Sequence, residues 1–278
     1  MAEILVVIGT GALGQAIARR IGEGRKILLA DVRMEAAESV AKTLRLSGFD
    51  VEPVTVDVTA RASVQALADQ ASGLGSIRGL IHSAGVSPSG ASPDTIFKVD
   101  LYGTAIVLEI FGPLMAKDSS GLVISSQAGH RLPAWSWDTK QSLATTPADD
   151  LLNLPILQSD QVAEPLVAYQ YAKRGASLRV QAESVRWARN GARLNAISPG
   201  IFGSALSQGE LNSSNRDSYQ RMIEASAAKR TATADEIASL GAFLMGPEAQ
   251  FISGSDFLID GGVTAAYWWG TLGEEISS

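Results

Sequence analysis

The chain has 278 residues, 46% of them hydrophobic and 19% charged, with a formal net charge of −6. That balance builds one large core, and the scattered basic residues offer neither a nucleic-acid groove nor a face for an anionic membrane. With no cysteine and two isolated histidines, disulfides and thiolate chemistry are excluded and no metal site is expected.

No apolar run reaches the roughly 18 residues of a membrane span, and the start, MAEILVVIGTG, lacks the basic segment that opens a signal peptide. It reads as a buried strand, and the expectation is a cytoplasmic protein whose partner is a small molecule or a copy of itself. Short apolar runs then alternate with amphipathic stretches: ILVVIG with ALGQAIARRI, KILLAD with MEAAESVAKTLRLSG, VEPVTVDV with ASVQALADQASG, then GLIHSAG. This alternation predicts repeated βαβ units around a parallel sheet. It continues with a helix over 95–116, a strand GLVISS, a helix over 168–189, a strand ARLNAIS, a helix over 234–245 and a final strand DFLID. Thr233 followed three residues later by Glu236 marks the start of the helix over 234–245 as a capping box. The predicted class is α/β: a single Rossmann-type domain over 1–278, with a doubly wound parallel sheet of about seven strands and helices on both faces. One stretch breaks the rhythm. Residues 127–167 carry Trp135, Trp137 and four prolines, with a short helix starting near TTPADDLL, where Pro147 suits a first turn.

Gly9, Gly11 and Gly14 in GTGALG form a G-x-G-x-x-G between a strand and a helix. A phosphate needs close backbone N–H groups and a helix N-terminus, and side chains at these positions would obstruct both. The motif alone equally describes a tight turn. Its strand–turn–helix setting, and Asp31 ending the next strand 17 residues after Gly14, make it a dinucleotide site that also places Thr10, Ala12 and Leu13 at the cofactor. The Asp31 carboxylate suits ribose hydroxyls and repels a 2′-phosphate, which favours NAD. Next to Val32, Arg33 partly offsets that repulsion, so NADP is not excluded.

In AYQYAKRG, residues 168–175, Tyr169 and Lys173 lie four apart and share a helix face, whereas Tyr171 and Lys173 do not. A tyrosine with a pKa of about 10 is a poor base near neutrality, and a neighbouring ammonium stabilises its phenolate. Such a pair can pass a proton to or from an alcohol oxygen while a nicotinamide exchanges hydride. By itself a Y-x-x-x-K describes any amphipathic helix. Beside a dinucleotide loop it describes a site, with Tyr171 left to packing.

With these features the chain resembles the short-chain dehydrogenase/reductase family over nearly its whole length. The landmarks run in family order: the glycine loop, Asp31, VDV around Asp57, HSAG at 82–85, VDLYG at 99–103, ISSQAG at 124–129, Tyr169 with Lys173, and SPGIFGS at 198–204. The resemblance implies that Ser126 hydrogen-bonds the substrate oxygen, that Tyr169 is the acid/base, and that Lys173 lowers the tyrosine pKa and holds the nicotinamide ribose. It places Asp57 and Val58 at the adenine, Ser83, Ala84 and Gly85 near the adenosine ribose, and Pro199, Gly200, Ile201 and Ser204 at the carboxamide. Ser125 is left as a strand-end cap.

Three departures from the family pattern stand out. The glycine loop is short, and His82 and Ser83 replace two asparagines, which leaves His82 a structural role. Asp100 stands where the family carries an asparagine that holds a relay water. It is expected to support the same relay and attract Lys173, although its charge opposes phenolate. Finally, Ser126 and Tyr169 are 43 positions apart, where relatives need about a dozen, so about thirty residues are inserted, and so long a connection is usually functional.

The insertion resembles that of bacterial hydroxysteroid dehydrogenase/carbonyl reductases and reads as a helical lid or an interface element. The expected activity is an NAD(P)-dependent interconversion of a secondary alcohol and a ketone, with Tyr169, Lys173, Ser126 and Asp100 catalytic and a bulky apolar or cyclic substrate. Trp268 and Trp269 in the tail point to a homodimer or homotetramer. The alternatives are an epimerase or dehydratase of the same family, and a dinucleotide sensor without turnover.

Overall fold

Apolar residues on both faces of nearly every strand dictate the architecture. The computed structural model describes residues 2–273 apart from 159–160, 214 and 271. Its strands are β1 (Ala2–Ile8), β2 (Lys26–Asp31), β3 (Asp50–Thr55), β4 (Gly75–His82), β5 (Met115–Ile124), β6 (Arg193–Pro199) and β7 (Asp256–Ile259). They form one parallel sheet in the order β3-β2-β1-β4-β5-β6-β7. In β1, Ile4, Val6 and Ile8 enter one core while Leu5 and Val7 enter the other, because alternate side chains leave opposite faces. A parallel sheet that is apolar on both faces must be covered on both.

The helices are α1 (Ala12–Ile21), α2 (Met34–Leu46), α3 (Arg61–Leu74), α4 (Pro93–Ile96), α5 (Gly103–Phe111), α6 (Trp137–Thr145), α7 (Ala148–Leu151), α8 (Pro165–Trp187), α9 (Ala205–Leu211), α10 (Arg216–Ala225), α11 (Ala234–Met245) and α12 (Val263–Trp269). Ile17, Leu44 and Ile237 bring α1, α2 and α11 to one core, and Leu67, Ile106 and Val180 bring α3, α5 and α8 to the other. The predicted capping box is present at the start of α11, where Thr233 Oγ1 accepts from Glu236 N (3.2 Å) and Glu236 Oε2 accepts from Thr233 N (2.8 Å). The chain winds outward from β1 to β3, then returns to β4 on the other side of β1. The carboxyl ends of β1 and β4 therefore flank the crevice where such sheets bind ligands.

The sequence expectation placed no helix at α9, α10 or α12, and two further segments near the site differ from it. The helix expected over 95–116 is interrupted by a π-helical turn, Phe97–Tyr102, and its last residues are already strand β5. A π turn widens the helix by one residue without breaking its apolar face, so periodicity does not reveal it. In the insertion, the expected helix is the four-residue α7, preceded by α6, which was not foreseen. Leu143, Ala148 and Leu151 are fully buried in the core that holds α5 and α8. Arg179 of α8, itself fully buried, donates to the carbonyls of Leu143 (3.2 Å) and Thr146 (2.7 Å) and pairs with Glu109 (3.1 Å). It thereby satisfies carbonyls that the end of α6 leaves open. Arg61 bridges Glu109 (2.8 Å) to Asp149 (2.9 Å) and ties the insertion down from the other side.

Candidate active site

The glycine loop turns from β1 into α1. A Cβ on Gly9, whose φ is +98°, would lie 2.5 Å from Ala84 N, and one on Gly14 would lie 2.6 Å from Ser83 Oγ. Those two glycines are demanded by packing against the loop after β4. A Cβ on Gly11 would meet nothing within 4 Å, because that position faces an open cleft. Helix α1 starts at Gly11 with no side-chain cap and no acidic residue in its first turn, so its first N–H groups are available to an anion.

From there a cleft of ≈ 1000 Å³ runs past Asp31, Val32, Arg33, Asp57, Val58 and Ala84. Asp31 Oδ2 accepts from Thr10 N (2.9 Å) and Thr10 Oγ1 (2.6 Å), and Oδ1 accepts from Arg33 N (3.1 Å). Burial pushes the Asp31 carboxyl up, the Thr10 bonds outweigh it, and the net pKa lies below the usual carboxylate range. A fixed anion therefore stands in the cleft at the end of β2. Asp57 Oδ1 accepts from Thr59 N (2.8 Å) and Oγ1 (2.7 Å) and shapes the turn after β3. Ser83 donates to the Ile8 (3.2 Å) and Gly9 (3.1 Å) carbonyls, so its hydroxyl holds the glycine loop. These residues fit a dinucleotide: open space at Gly11, free N–H groups at a helix start, and an anion positioned for ribose hydroxyls.

A second cleft adjoins the first and holds Ser126, Tyr169 and Lys173. Lys173 Nζ lies 5.4 Å from the centroid of the Tyr169 ring, as their spacing on α8 requires. Ser126 lines the same cleft as Tyr169 and favours its phenolate, while its Oγ accepts from Ala128 N (3.2 Å). Ser125 donates to the Lys173 carbonyl (2.9 Å) and fastens α8 to the end of β5. Tyr171 packs edge-on against Trp135 at 5.0 Å.

Asp100 lies in the π turn, with its Oδ1 accepting from Lys173 Nζ (3.2 Å) and Val86 N (3.2 Å). Oδ2 is buried with no partner among the described residues. Burial pushes the Asp100 carboxyl up, opposed by the lysine beside it. Burial alone would lower Lys173, but Asp100 and Tyr169 outweigh it and its pKa is raised, so the ammonium is held charged. One expectation needs correction. Tyr169 is raised overall, because burial disfavours the phenolate more than Lys173 favours it, and Asp100 adds to the rise.

Gly85 makes the ion pair geometrically feasible. A Cβ there would lie 2.6 Å from Asp100 Oδ1 and 3.3 Å from Lys173 Nζ. Gly85→Ala is expected to displace the pair and lower kcat/KM by roughly 10²-fold, the cost of about an ångström of misplacement. Steady-state kinetics check this, with circular dichroism confirming the fold.

His82 is buried, and its pKa falls to about 3 through burial and the charge of Lys173. Its Nε2 donates to Thr104 Oγ1 (3.1 Å), because that hydroxyl gives its own proton to the Asp100 carbonyl (2.8 Å). His82 thus steadies the π turn. Beyond β6, Pro199, Gly200 and Ile201 line the second cleft. The Ile201 carbonyl accepts from Ala232 N (3.0 Å). Ser204 caps α9 by accepting from Ser207 N (3.1 Å), so its hydroxyl is engaged in the helix start.

A family model described as short chain dehydrogenase matches residues 3–136, and one described as enoyl-(acyl carrier protein) reductase matches residues 139–264. A short-chain dehydrogenase/reductase of Alternaria brassicicola, bsc3, is 36% identical over 262 residues, covering 94% of this chain and 95% of its own. The chain belongs to the short-chain dehydrogenase/reductase family. A 3-alpha-hydroxysteroid dehydrogenase/carbonyl reductase of Comamonas testosteroni is 28% identical over 221 residues, covering 78% of this chain and 84% of its own. The solved structure of a short-chain dehydrogenase/reductase from Serratia marcescens superposes with a TM-score of 0.73 at 20% identity, covering 95% of this chain and 98% of that one, and shares the fold. Short-chain dehydrogenase/reductases are oxidoreductases that bind NAD(P), and the cleft described above has the features such a cofactor needs.

Several residues of this short-chain dehydrogenase/reductase site carried no sequence signal. Arg131, Tyr219 and Tyr267 line the second cleft. Glu210 of α9, fully buried, accepts from Ser89 N (3.1 Å), Ser89 Oγ (2.5 Å) and Asn215 Nδ2 (2.8 Å), latching the loop after β4 to the α9–α10 connection. None of these lies in a motif, and each is defined by partners distant in sequence.

Proposed function

We propose that this protein interconverts a secondary alcohol and a ketone, with Tyr169 as the acid/base. The observation that carries the reading is the convergence of Ser126, Tyr169 and Lys173 in the second cleft, which adjoins the first. Bound along the first cleft, a nicotinamide dinucleotide supplies or accepts the hydride. Ser126 hydrogen-bonds the substrate oxygen and steadies charge developing there. Tyr169 gives that oxygen a proton on reduction and takes it on oxidation, and Lys173 offsets the phenolate charge. Asp100 holds Lys173 through Oδ1, and Oδ2 retains the capacity to accept from a water linking the lysine to solvent. A spectrophotometric screen of nicotinamide absorbance over alcohols and ketones, wild type against Tyr169→Phe, tests the reading. Equal and negligible rates in both would favour a dinucleotide sensor.

NAD is the preferred cofactor on this reading, supported by the anionic Asp31 fixed by Thr10. Asp31→Ser is expected to raise the ratio of NADP to NAD kcat/KM by about 10–100-fold, because removing one charge repulsion near a 2′-phosphate is worth roughly 1.4–2.8 kcal/mol. An unchanged ratio would remove Asp31 from the specificity site.

The whole chain is read as a single domain with residues 127–167 as an insertion. Its helices α6 and α7 pack on α8 and α5, and only its ends, including Arg131 and Leu166, reach the second cleft. That placement supports an interface element over a substrate lid. Trp137 on α6 is 73% exposed and Trp269 on α12 is 90% exposed, which supports assembly as a homodimer or homotetramer. Light scattering checks this, a monomer being the result that sinks it. No described helix is long and apolar enough to cross a membrane, in keeping with the proposed cytoplasmic site of action.

A further inference from the structure

The second cleft is lined by a cation, Arg131, that has no ion partner among the described residues. Arg131 follows the short helical turn Gln127–His130 that begins at Ser126, so the backbone places it a few residues from the reacting centre. Its Nη1 lies against Met222 Sδ (2.7 Å), its Cζ stands 5.8 Å from the Tyr267 ring, and its Nε is buried with no partner. No carboxylate among the described residues lies within 4.0 Å of the guanidinium. Asp260 is nearby, but its two oxygens accept from Gly262 N (2.8 Å) and Thr264 N (2.7 Å). By contrast, Arg179, which is fully buried, has Glu109 and two carbonyls.

A guanidinium does not lose its proton in a protein. Arg131 is half-buried as a residue, but its Nε is out of water without a partner, which is costly, and a thioether and a ring face return little of that cost. Burial pushes its pKa below the ordinary value, the same conflict seen from its titration. We propose that Arg131 receives a carboxylate carried by the substrate, so that the ketone or alcohol processed here has an anionic group at the end remote from the reacting carbon. The planar fork of the guanidinium matches a carboxylate in two parallel hydrogen bonds. Met222, Tyr219 and Tyr267 beside it accept the hydrocarbon between the two ends. The substrate is then apolar in its body and charged at its tip, which refines the bulky apolar compound expected from sequence. This inference rests on the proposed alcohol/ketone chemistry for the choice of reacting group, but anion binding at Arg131 stands apart from turnover.

The test uses para-acetylbenzoate, meta-acetylbenzoate and levulinate, each against its methyl ester, as ketones reduced with NADH by wild type, Arg131→Met and Arg131→Lys. Wild type should prefer at least one acid to its ester by at least about 30-fold in kcat/KM, the low end of the cost of leaving a buried charge pair unmade. Arg131→Met should abolish that ratio through KM, and Arg131→Lys should restore part of it. The ratio is insensitive to a general loss of folded enzyme. Benzoate-induced thermal stabilisation is measured alongside. No turnover of any ketone, with benzoate stabilising wild type but not Arg131→Met, would sustain anion binding and sink the alcohol/ketone reading. Esters reduced as well as acids, with benzoate silent on wild type, would overturn the anion site and leave that reading standing. Neither turnover nor stabilisation would overturn both.

Discussion

Tyr169→Phe is expected to lower kcat by about 10²–10⁴-fold, the usual worth of a positioned acid/base. Phenylalanine fills nearly the same volume on α8, so the loss isolates the hydroxyl. Nothing adjacent substitutes for it: Lys173 is held by Asp100 (3.2 Å) and His82 is committed to Thr104 (3.1 Å). Ser126 keeps its place through Ala128 N (3.2 Å) but has no base of its own. The measurement is steady-state turnover of a ketone that wild type reduces. A variant retaining more than about a tenth of wild-type turnover would mean the proton travels by another group. The pH dependence carries a second signature. Alcohol oxidation needs the phenolate, so its rate rises with pH through the Tyr169 pKa, which burial pushes up and Lys173 pushes down. Lys173→Met is therefore expected to move that limb to higher pH.

Much of this site was legible because it is written locally. GTGALG, Asp31 at the end of β2, and Tyr169 with Lys173 on one turn of α8 each declare their chemistry within a short window, and the strands declare themselves by being apolar on both faces. What escaped depends on contacts between distant segments. The π turn at Phe97–Tyr102 has an unbroken apolar pattern, yet it sets Asp100 against Lys173 and Val86. Helix α6 has no strong amphipathic pattern, and it is held by Arg179, more than thirty residues away in sequence. The direction of the Tyr169 shift was missed for the same reason: the i, i+4 lysine is visible in sequence, whereas the packing of the half-buried ring against the core is a property of the assembled fold. Arg131 looks like an ordinary basic residue in AGHRLP until the fold shows that no carboxylate among the described residues pairs with it.

Asp100 separates two functions that its family's asparagine cannot combine, and two substitutions distinguish them. Asp100→Ala leaves the Lys173 ammonium buried without its anion, and breaking a buried pair from one side costs about 3–5 kcal/mol. The side chains of both partners are almost wholly buried, so solvent screening offers little relief. A large fall in melting temperature is expected, and an unchanged one would show that the pair contributes nothing to stability. Asp100→Asn keeps an acceptor for Val86 N and Lys173 Nζ while removing the charge, so the fold should survive. Asp100 raises Tyr169, so its neutralisation lets the tyrosine pKa fall, and the rising limb of alcohol oxidation should move to lower pH. The same change withdraws the support that Asp100 gives the charged form of Lys173, which acts in the opposite sense on the phenolate. Tyr169 itself still favours the charged form of Lys173, so the ammonium is expected to persist where the phenolate forms and the first effect to prevail. A limb displaced to higher pH would reverse that ranking: the carboxylate would then serve above all to keep the lysine protonated, as an asparagine does not.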